Sequence, residues 1–231
     1  IIGALAGTIA GLIHVKLRVR DLFSGIIMMT ALYSINLRIA GGKSNVPIFS
    51  KPTIFENAFL ATYIPDAFQP YIVVTLLFIM VMILKILLDF YLNTKSGYLL
   101  RAVGDNATLV TSLAMDKGKV KIIGLALANG FVALAGAVYC QKSGYFEISI
   151  GTGTMTIGLA SVIIGTNTFR SSSILKKTTA VIIGSIIYKL CISIAISFGM
   201  EASDLKLITA VLFLGILVVS SERKRKVKFN A

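Results

Sequence analysis

The stretch from Tyr71 to Leu92 reads YIVVTLLFIMVMILKILLDFYL and contains only two charged residues, Lys85 and Asp89. A helix of about 20 apolar residues is long enough to cross the hydrocarbon core of a bilayer, which is about 30 Å thick. This stretch is therefore predicted to be a membrane-spanning helix. Lys85 and Asp89 are four residues apart near one end of it, so we expect them to pair on one helix face.

Further apolar stretches on both sides of this one predict an all-α, polytopic transmembrane helical bundle. Four of them are long enough to be clear spans: Leu22–Ala40, Ile122–Cys140, Thr178–Phe198 and Leu205–Ser220. Thr154–Phe169 is shorter and rich in Gly, Ser and Thr, so it fits either a tilted span or a re-entrant hairpin. Ile1–Ile13 is apolar but too short to span alone, and we expect it to be the end of a helix that starts before residue 1.

The composition agrees with a membrane protein. Of the 231 residues, 56% are hydrophobic and 14% are charged, whereas soluble domains carry about 25% charged residues. The mean hydropathy is +0.86. These values exclude a soluble globular enzyme, a disordered chain and a secreted disulfide scaffold.

The 23 basic and 10 acidic residues give a net charge of +13, which in a soluble protein would suggest nucleic-acid binding. Sixteen of the basic residues, however, fall in four islands that alternate with the spans: Lys16–Arg20, Lys95–Lys121, Arg170–Lys177 and Glu222–Lys228. Basic residues are retained in cytoplasmic loops, so the pattern indicates topology, with anionic lipid headgroups and not nucleic acid as the neighbours. This assignment favours Thr154–Phe169 as a full crossing.

Small residues recur at helical spacing in two places. Gly3, Gly7 and Gly11 share one helix face, and so do Thr154, Gly158, Ser161 and Gly165. Small residues at every fourth position allow two membrane helices to approach closely. The two faces therefore predict helix packing without indicating a particular function.

The segment 93–121 lies between two predicted spans and is predicted to be a cytoplasmic loop. Gly104-Asp105-Asn106 predicts a turn, and either Asp105 or Asn106 can cap the helix that follows. Residues Ala107–Met115 then form a short amphipathic helix, with Leu109 and Leu113 on its apolar face. Asp116-Lys117-Gly118 is predicted to end that helix. A short helix held off the membrane can dock into a partner protein, or the segment can be a solvated linker.

Two polar stripes are predicted inside the spans. Thr30, Ser34 and Arg38 share one helix face, and Ser185, Lys189, Ser193 and Ser197 share another. We hypothesise that these stripes border a translocation path, together with Asn36, Asn129 and Ser161. The alternative is that the hydroxyls bond backbone carbonyls of their own helices and that Lys189 extends towards the interface.

Catalytic and metal-binding patterns are absent from the sequence, so no catalytic residue, metal ligand or cofactor is assigned to this chain. His14 is the single histidine, and Cys140 and Cys191 both fall in apolar helix, where they are expected to be small core residues. The function classes left open are a transport permease, a channel or ion-coupled secondary carrier, and a membrane-embedded enzyme. The last is disfavoured because Asp89 is the single acidic residue inside a predicted span.

Four motifs in this order resemble the ABC-importer permeases of the branched-chain amino acid and ribose type. They are LRAVGDN (Leu100–Asn106), GLALANGFVALAGAVYCQ (Gly124–Gln141), GTGTMTIGLASVIIG (Gly151–Gly165) and SDLKLITA (Ser203–Ala210). The run LFSGIIMMTALYSINLRI (Leu22–Ile39) is similar to the subgroup of uncharacterised or tryptophan- and tyrosine-type amino acid importers. The resemblance covers the chain from about His14 to Val218.

The resemblance implies a permease domain over residues 1–220, a coupling loop at 93–121 and a basic cytoplasmic tail at 221–231. It also implies an ATP-driven importer in a bacterial plasma membrane, with a small solute as substrate, an amino acid of the branched-chain or aromatic type. The expected partners are a cytoplasmic ATPase that holds ATP and Mg²⁺, an extracellular solute-binding protein and a second permease copy. The residues that would couple to the ATPase are Arg101, Gly104, Asp105, Asn106, Ala107, Leu109 and Leu113.

Overall fold

The computed structural model describes residues 1–49, 52–56, 69–112, 115–169 and 176–197, together with 210–211, 214–215 and 218. The predicted span Leu205–Ser220 and the basic tail 221–231 otherwise lie outside the described residues. The chain forms two compact units, residues 1–148 and 149–231.

Unit 1 contains six helices and two short strands among its described residues. These are α1 (Ile2–Lys16), α2 (Asp21–Ile39), β1 (Asn45–Pro47), α3 (Gln69–Leu92), α4 (Lys95–Asp105), α5 (Ala107–Ser112), α6 (Lys117–Ser143) and β2 (Tyr145–Glu147), with a 3₁₀ turn at Ile54–Glu56. Unit 2 contains α7 (Gly151–Thr168) and α8 (Lys177–Ser197) in its described part. The predicted spans thus form helices wherever the structure describes them.

Four of these helices are long and apolar enough to cross a membrane: Leu22–Ile39, Tyr71–Leu92, Lys117–Ser143 and Lys177–Ser197. None of the Tyr71–Leu92 segment is buried within the fold, and large side chains such as Phe78 and Phe90 are exposed. A continuous apolar surface of this size is not stable in water, so it indicates contact with lipid. α7 is one uninterrupted helix of 18 residues, about 27 Å long, which favours the crossing over the re-entrant hairpin.

Helix α1 packs along α6 through its glycine face, as the sequence predicts. A Cβ atom added at Gly7 would overlap the Leu125 carbonyl oxygen, and one at Gly11 would lie 3.0 Å from the Ile122 Cα. The two backbones can approach this closely only because these positions carry no side chain. The same device joins α7 and α8, where a Cβ at Gly165 would overlap the Ala180 carbonyl oxygen.

A two-stranded antiparallel sheet joins the ends of α2 and α6, which the all-α prediction did not include. β1 pairs with β2 so that Asn45 faces Glu147 and Pro47 faces Tyr145. Gly144, at φ 75°, ends α6 in the left-handed conformation and turns the chain into β2. The strands have three residues each, so the domain remains almost entirely helical.

The segment 93–121 contains one helix more than the sequence predicted. The prediction of a turn at Gly104-Asp105-Asn106 is wrong for Gly104 and Asp105, because α4 continues through Asp105. The Thr94 hydroxyl starts this helix by accepting a hydrogen bond from the Gly97 amide at 3.3 Å. Residues Leu99, Leu100 and Val103 extend the helix because their apolar side chains pack against its neighbours.

The predicted ends of the short helix are also corrected. Helix α5 covers Ala107–Ser112, residues 113 and 114 lie outside the described part, and Met115 is not helical. Asp116 begins α6 and does not end α5, since its carboxylate accepts hydrogen bonds from the Gly118 and Lys119 amides at 2.8 and 3.4 Å. Because an N-cap satisfies amides that have no partner inside the helix, α6 begins five residues before the predicted span.

Candidate translocation path and coupling loop

The α7–α8 unit contains a groove of about 470 Å³ in which four of the predicted path residues meet. Ser161 lies on α7, and Ser185, Lys189 and Ser193 lie on α8. The remaining lining residues are Ile157, Ile186, Tyr188 and Leu190. Sites for small organic molecules are commonly grooves of a few hundred Å³ with mainly apolar walls and a few polar groups. The groove has such a lining but is open, since Ile186, Lys189 and Leu190 are exposed.

Among the described residues, Lys189 is the single charged residue that lines this groove. It is the thirteenth of the 21 residues of α8, so its Cα lies about 18 Å along the axis from Lys177 and about 12 Å from Ser197. A lysine near the centre of a bilayer costs roughly 2.5–3.5 kcal/mol unless water or an anion meets it. Within the described part of the chain, no hydrogen bond or ion pair holds its ammonium group.

Two of the three serine hydroxyls that line the groove, those of Ser161 and Ser185, bond to their own helices. Ser161 donates to the Ile157 carbonyl at 2.8 Å, and Ser185 donates to the Ile182 carbonyl at 2.7 Å. These bonds are the alternative that the sequence left open for the polar stripes. A hydroxyl that donates in this way still has lone pairs that can accept a hydrogen bond from a bound molecule.

The two hydroxyl groups of the polar stripe on α2 also bond to backbone carbonyls of their own helix. Thr30 donates to the Ile26 carbonyl at 2.9 Å, and Ser34 donates to the Thr30 carbonyl at 3.5 Å. Together with Arg38 these side chains form one exposed face of α2, whereas Asn36 is exposed about half a turn away. The structure therefore brings Thr30, Ser34 and Arg38 onto one face but does not include Asn36 in it.

Asn129 lies at the contact between α1 and α6. Its side-chain amide donates to the Leu125 carbonyl at 2.9 Å, and a Cβ at Gly7 would lie 2.8 Å from the Asn129 Cβ. The residue thus faces the glycine face of α1. Its role in the path remains a proposal, and its observed contacts are those of helix packing.

The predicted coupling loop is held against the start of α6 by a small apolar core. Val103 of α4, Val110 of α5 and Val120 of α6 are buried together, and Val110 is completely inaccessible to solvent. Asn106 caps α5, because its side-chain oxygen accepts a hydrogen bond from the Thr108 amide at 3.0 Å. The predicted cap is thus confirmed for Asn106, and the short helix is fixed relative to the span.

The remaining coupling residues divide into exposed and undescribed positions. Arg101, Gly104 and Asp105 are exposed on α4, and the Arg101 guanidinium lies 5.8 Å from the centre of the Tyr98 ring. Ala107 and Leu109 belong to α5, but their side chains, like Leu113 as a whole, lie outside the described residues. The exposed polar side chains of this segment are thus those of Arg101, Asp105 and Asn106.

Two features of the site were not found from the sequence. Tyr188 is completely buried in the α7–α8 unit and lines the groove. Its place next to Lys189 in the sequence is the one signal that could have indicated this role. His14 Nδ1 donates to the Val19 carbonyl at 2.8 Å, so its Nε2 accepts from Lys121 Nζ at 3.0 Å. This link joins the end of α1 to the start of α6.

The predicted charge pair on α3 is confirmed. Lys85 Nζ lies 3.2 Å from Asp89 Oδ2, and both side chains are less than one-fifth exposed. Within the described ranges, no group of three or more His, Cys, Asp or Glu residues is placed to hold a metal ion.

Comparisons with known proteins agree with this arrangement. The family model "Branched-chain amino acid transport system / permease component" matches residues 1–220. A tyrosine transport system permease protein of Clostridioides difficile is 43% identical over 99% of this chain and 73% of the relative. An uncharacterized protein of Rickettsia prowazekii, RP368, is 30% identical over 96% of this chain and 77% of the relative.

A more distant relative is the nucleoside ABC transporter permease protein NupC of Lactococcus lactis. It is 29% identical over 71% of this chain and 54% of the relative. No solved structure matches the chain. The family match, the relatives and the four membrane-capable helices establish a multi-pass membrane permease of a transport system. The chain belongs to the family of branched-chain amino acid transport system permease components.

Proposed function

We propose that this chain is the permease subunit of an ATP-driven importer for a small solute, an amino acid of the branched-chain or aromatic type. A separate cytoplasmic ATPase, with its own ATP and Mg²⁺, would drive the transport. An extracellular solute-binding protein would deliver the substrate. The path would be formed by two permease chains, either two copies of this one or this chain and a sister chain. Thr30, Ser34, Asn36, Arg38 and Asn129 would contribute to it together with the residues of the α7–α8 groove.

The observation that supports ATPase coupling is the packing of α4 and α5 against the first turns of α6. Val103, Val110 and Val120 connect the short helix directly to a membrane-spanning helix. A force applied to α5 by a partner would therefore reach α6, and α1 with it, because α1 packs along α6. A solvated linker would not need a buried valine core, so this geometry favours a docking helix.

The substrate class is supported by the family and by the groove. The family model describes branched-chain amino acid transport, and the 43% identical relative is a tyrosine permease. A groove with apolar walls and a single cation suits a small solute that has an apolar body and one negative charge. An amino acid satisfies both requirements.

The coupling role is tested with Leu109→Asp. We expect this variant to remain in the membrane but to lose co-purification with the ATPase, because a charge replaces an apolar side chain of the docking helix. The control is Lys142→Asp, in the last turn of α6 at its predicted outer end, which should keep the complex. An ATPase that still co-purifies with Leu109→Asp in stoichiometric amount would contradict the coupling assignment.

A further inference from the structure

We propose that Lys189 binds the carboxylate of the transported solute in the α7–α8 groove and so helps to determine the specificity of the path. This inference rests on the proposed function, since it assigns one residue a role within that transport pathway. The observations that carry it are the depth of Lys189 in α8, the missing counter-charge and the chemistry of the groove lining.

The depth of Lys189 keeps its ammonium group from reaching either membrane surface. Its Cα lies more than 10 Å along the helix from both ends of α8, at a rise of about 1.5 Å per residue. The four-carbon stem of a lysine is only about 6 Å long. Extension towards the interface therefore cannot place this charge among the headgroups, and the ammonium group must meet water or an anion inside the path.

Among the described residues, no acidic side chain pairs with Lys189. Asp89 is the acidic residue of this sequence that lies within a predicted span, and it pairs with Lys85 at 3.2 Å. An anionic solute in the path is therefore the candidate that meets the charge of Lys189.

The lining of the groove selects among possible anions. One ammonium group balances a single negative charge, which suits a carboxylate better than a phosphate dianion. The hydroxyl oxygens of Ser161 and Ser185 can accept hydrogen bonds from a solute amino group, because their own protons are donated to backbone carbonyls. The side chains of Ile157, Ile186 and Leu190 offer apolar contact. Together these groups fit a small zwitterion with an apolar side chain.

The test restores the charge chemically in the intact transporter. The chain has two cysteines, so Cys140→Ala with Cys191→Ala gives a cysteine-free parent, to which Lys189→Cys is added. The permease is reconstituted in liposomes with its ATPase and binding protein, and uptake of radiolabelled tyrosine is measured. Aminoethyl methanethiosulfonate then attaches an ammonium group at position 189, whereas sulfonatoethyl methanethiosulfonate attaches a negative charge.

We expect Lys189→Cys to lower the rate of tyrosine uptake about tenfold or more, because a charge-assisted hydrogen bond is lost. Aminoethylation should restore most of that rate, and sulfonatoethylation should not. Lys189→Met should show the same loss and Lys189→Arg a smaller one, which separates charge from shape. The control, Ile194→Cys, is exposed on α8 and does not line the groove; it should transport at the parent rate.

Uptake at the parent rate in Lys189→Met, or equal restoration by the two reagents, would overturn the role of Lys189 while leaving the importer intact. Failure of the proposed function is a different result. If the chain is not part of an ATP-driven importer, uptake by the unsubstituted complex continues at the same rate when ADP replaces ATP.

Discussion

The contact between Gly184 and the α7 backbone makes a sharp prediction about the groove. Gly184 is buried in α8, and an added Cβ would overlap the Ser161 carbonyl oxygen and lie 2.7 Å from the Gly165 Cα. Ordinary contact begins at 3.4 Å, so Gly184→Ala must separate the two backbones by at least about 0.7 Å at this point. The neighbours are backbone atoms and cannot move aside as a flexible side chain can.

A gap of 0.5–1 Å forfeits about a quarter to a half of the dispersion energy of each contact that it opens. Overpacking of this kind typically costs about 1–3 kcal/mol. We therefore expect Gly184→Ala to lower the midpoint of thermal aggregation, measured by fluorescence-detected size exclusion after heating, by several degrees. Because Ser161 moves away from Lys189, we also expect a reduced rate of uptake at a normal level of expression.

The matched control is Gly158→Ala on α7, where an added Cβ meets no atom of the described residues within 4 Å. Alanine is the better helix former by about 1 kcal/mol, so this variant should be as stable as the parent or more so. If Gly184→Ala and Gly158→Ala proved equally stable and equally active, the close α7–α8 contact would be refuted, and the groove that depends on it as well.

Two further predictions concern unit 1. Gly7→Ala should destabilise the α1–α6 contact by about 1–3 kcal/mol, because its Cβ would lie 2.8 Å from the Asn129 Cβ. The control is Gly136→Ala on α6, where an added Cβ meets none of the described atoms within 4 Å. Equal thermal midpoints for the two variants would contradict the prediction. Asp116→Ala should lower the free energy of unfolding by about 0.5–2 kcal/mol, because it removes the cap of α6. Hydrogen exchange at the Gly118 amide should become faster, and unchanged exchange would contradict the prediction. The control is Asp105→Ala, at an exposed position on α4.

Features set by local pattern were predictable from the sequence. Apolar length identified the helix that contains Tyr71–Leu92, because the thickness of the bilayer fixes the length of a span. The spacing of four residues predicted both the Lys85–Asp89 pair and the glycine face of α1, since helical periodicity alone brings such residues together. The Asn106 cap depends only on the two residues that follow it.

Features that depend on distant parts of the chain were not predictable in this way. The pairing of Asn45 with Glu147 and the contact between His14 and Lys121 each join residues about 100 positions apart. The α7–α8 groove depends on how closely two helices cross, which the glycine spacing permits but does not determine. Helix α4 was missed because Gly97 and Gly104 suggest a loop, although its apolar residues extend the helix by packing.

The central claim is that ATP hydrolysis in a partner drives the movement of an amino acid through this permease. The most direct measurement is tyrosine uptake into proteoliposomes that contain the permease with its ATPase and binding protein. The account predicts accumulation with enclosed ATP and Mg²⁺ at the ATPase face and none with ADP, whatever ion gradient is imposed. Accumulation that follows a sodium or proton gradient and ignores ATP would contradict it and would identify a secondary carrier.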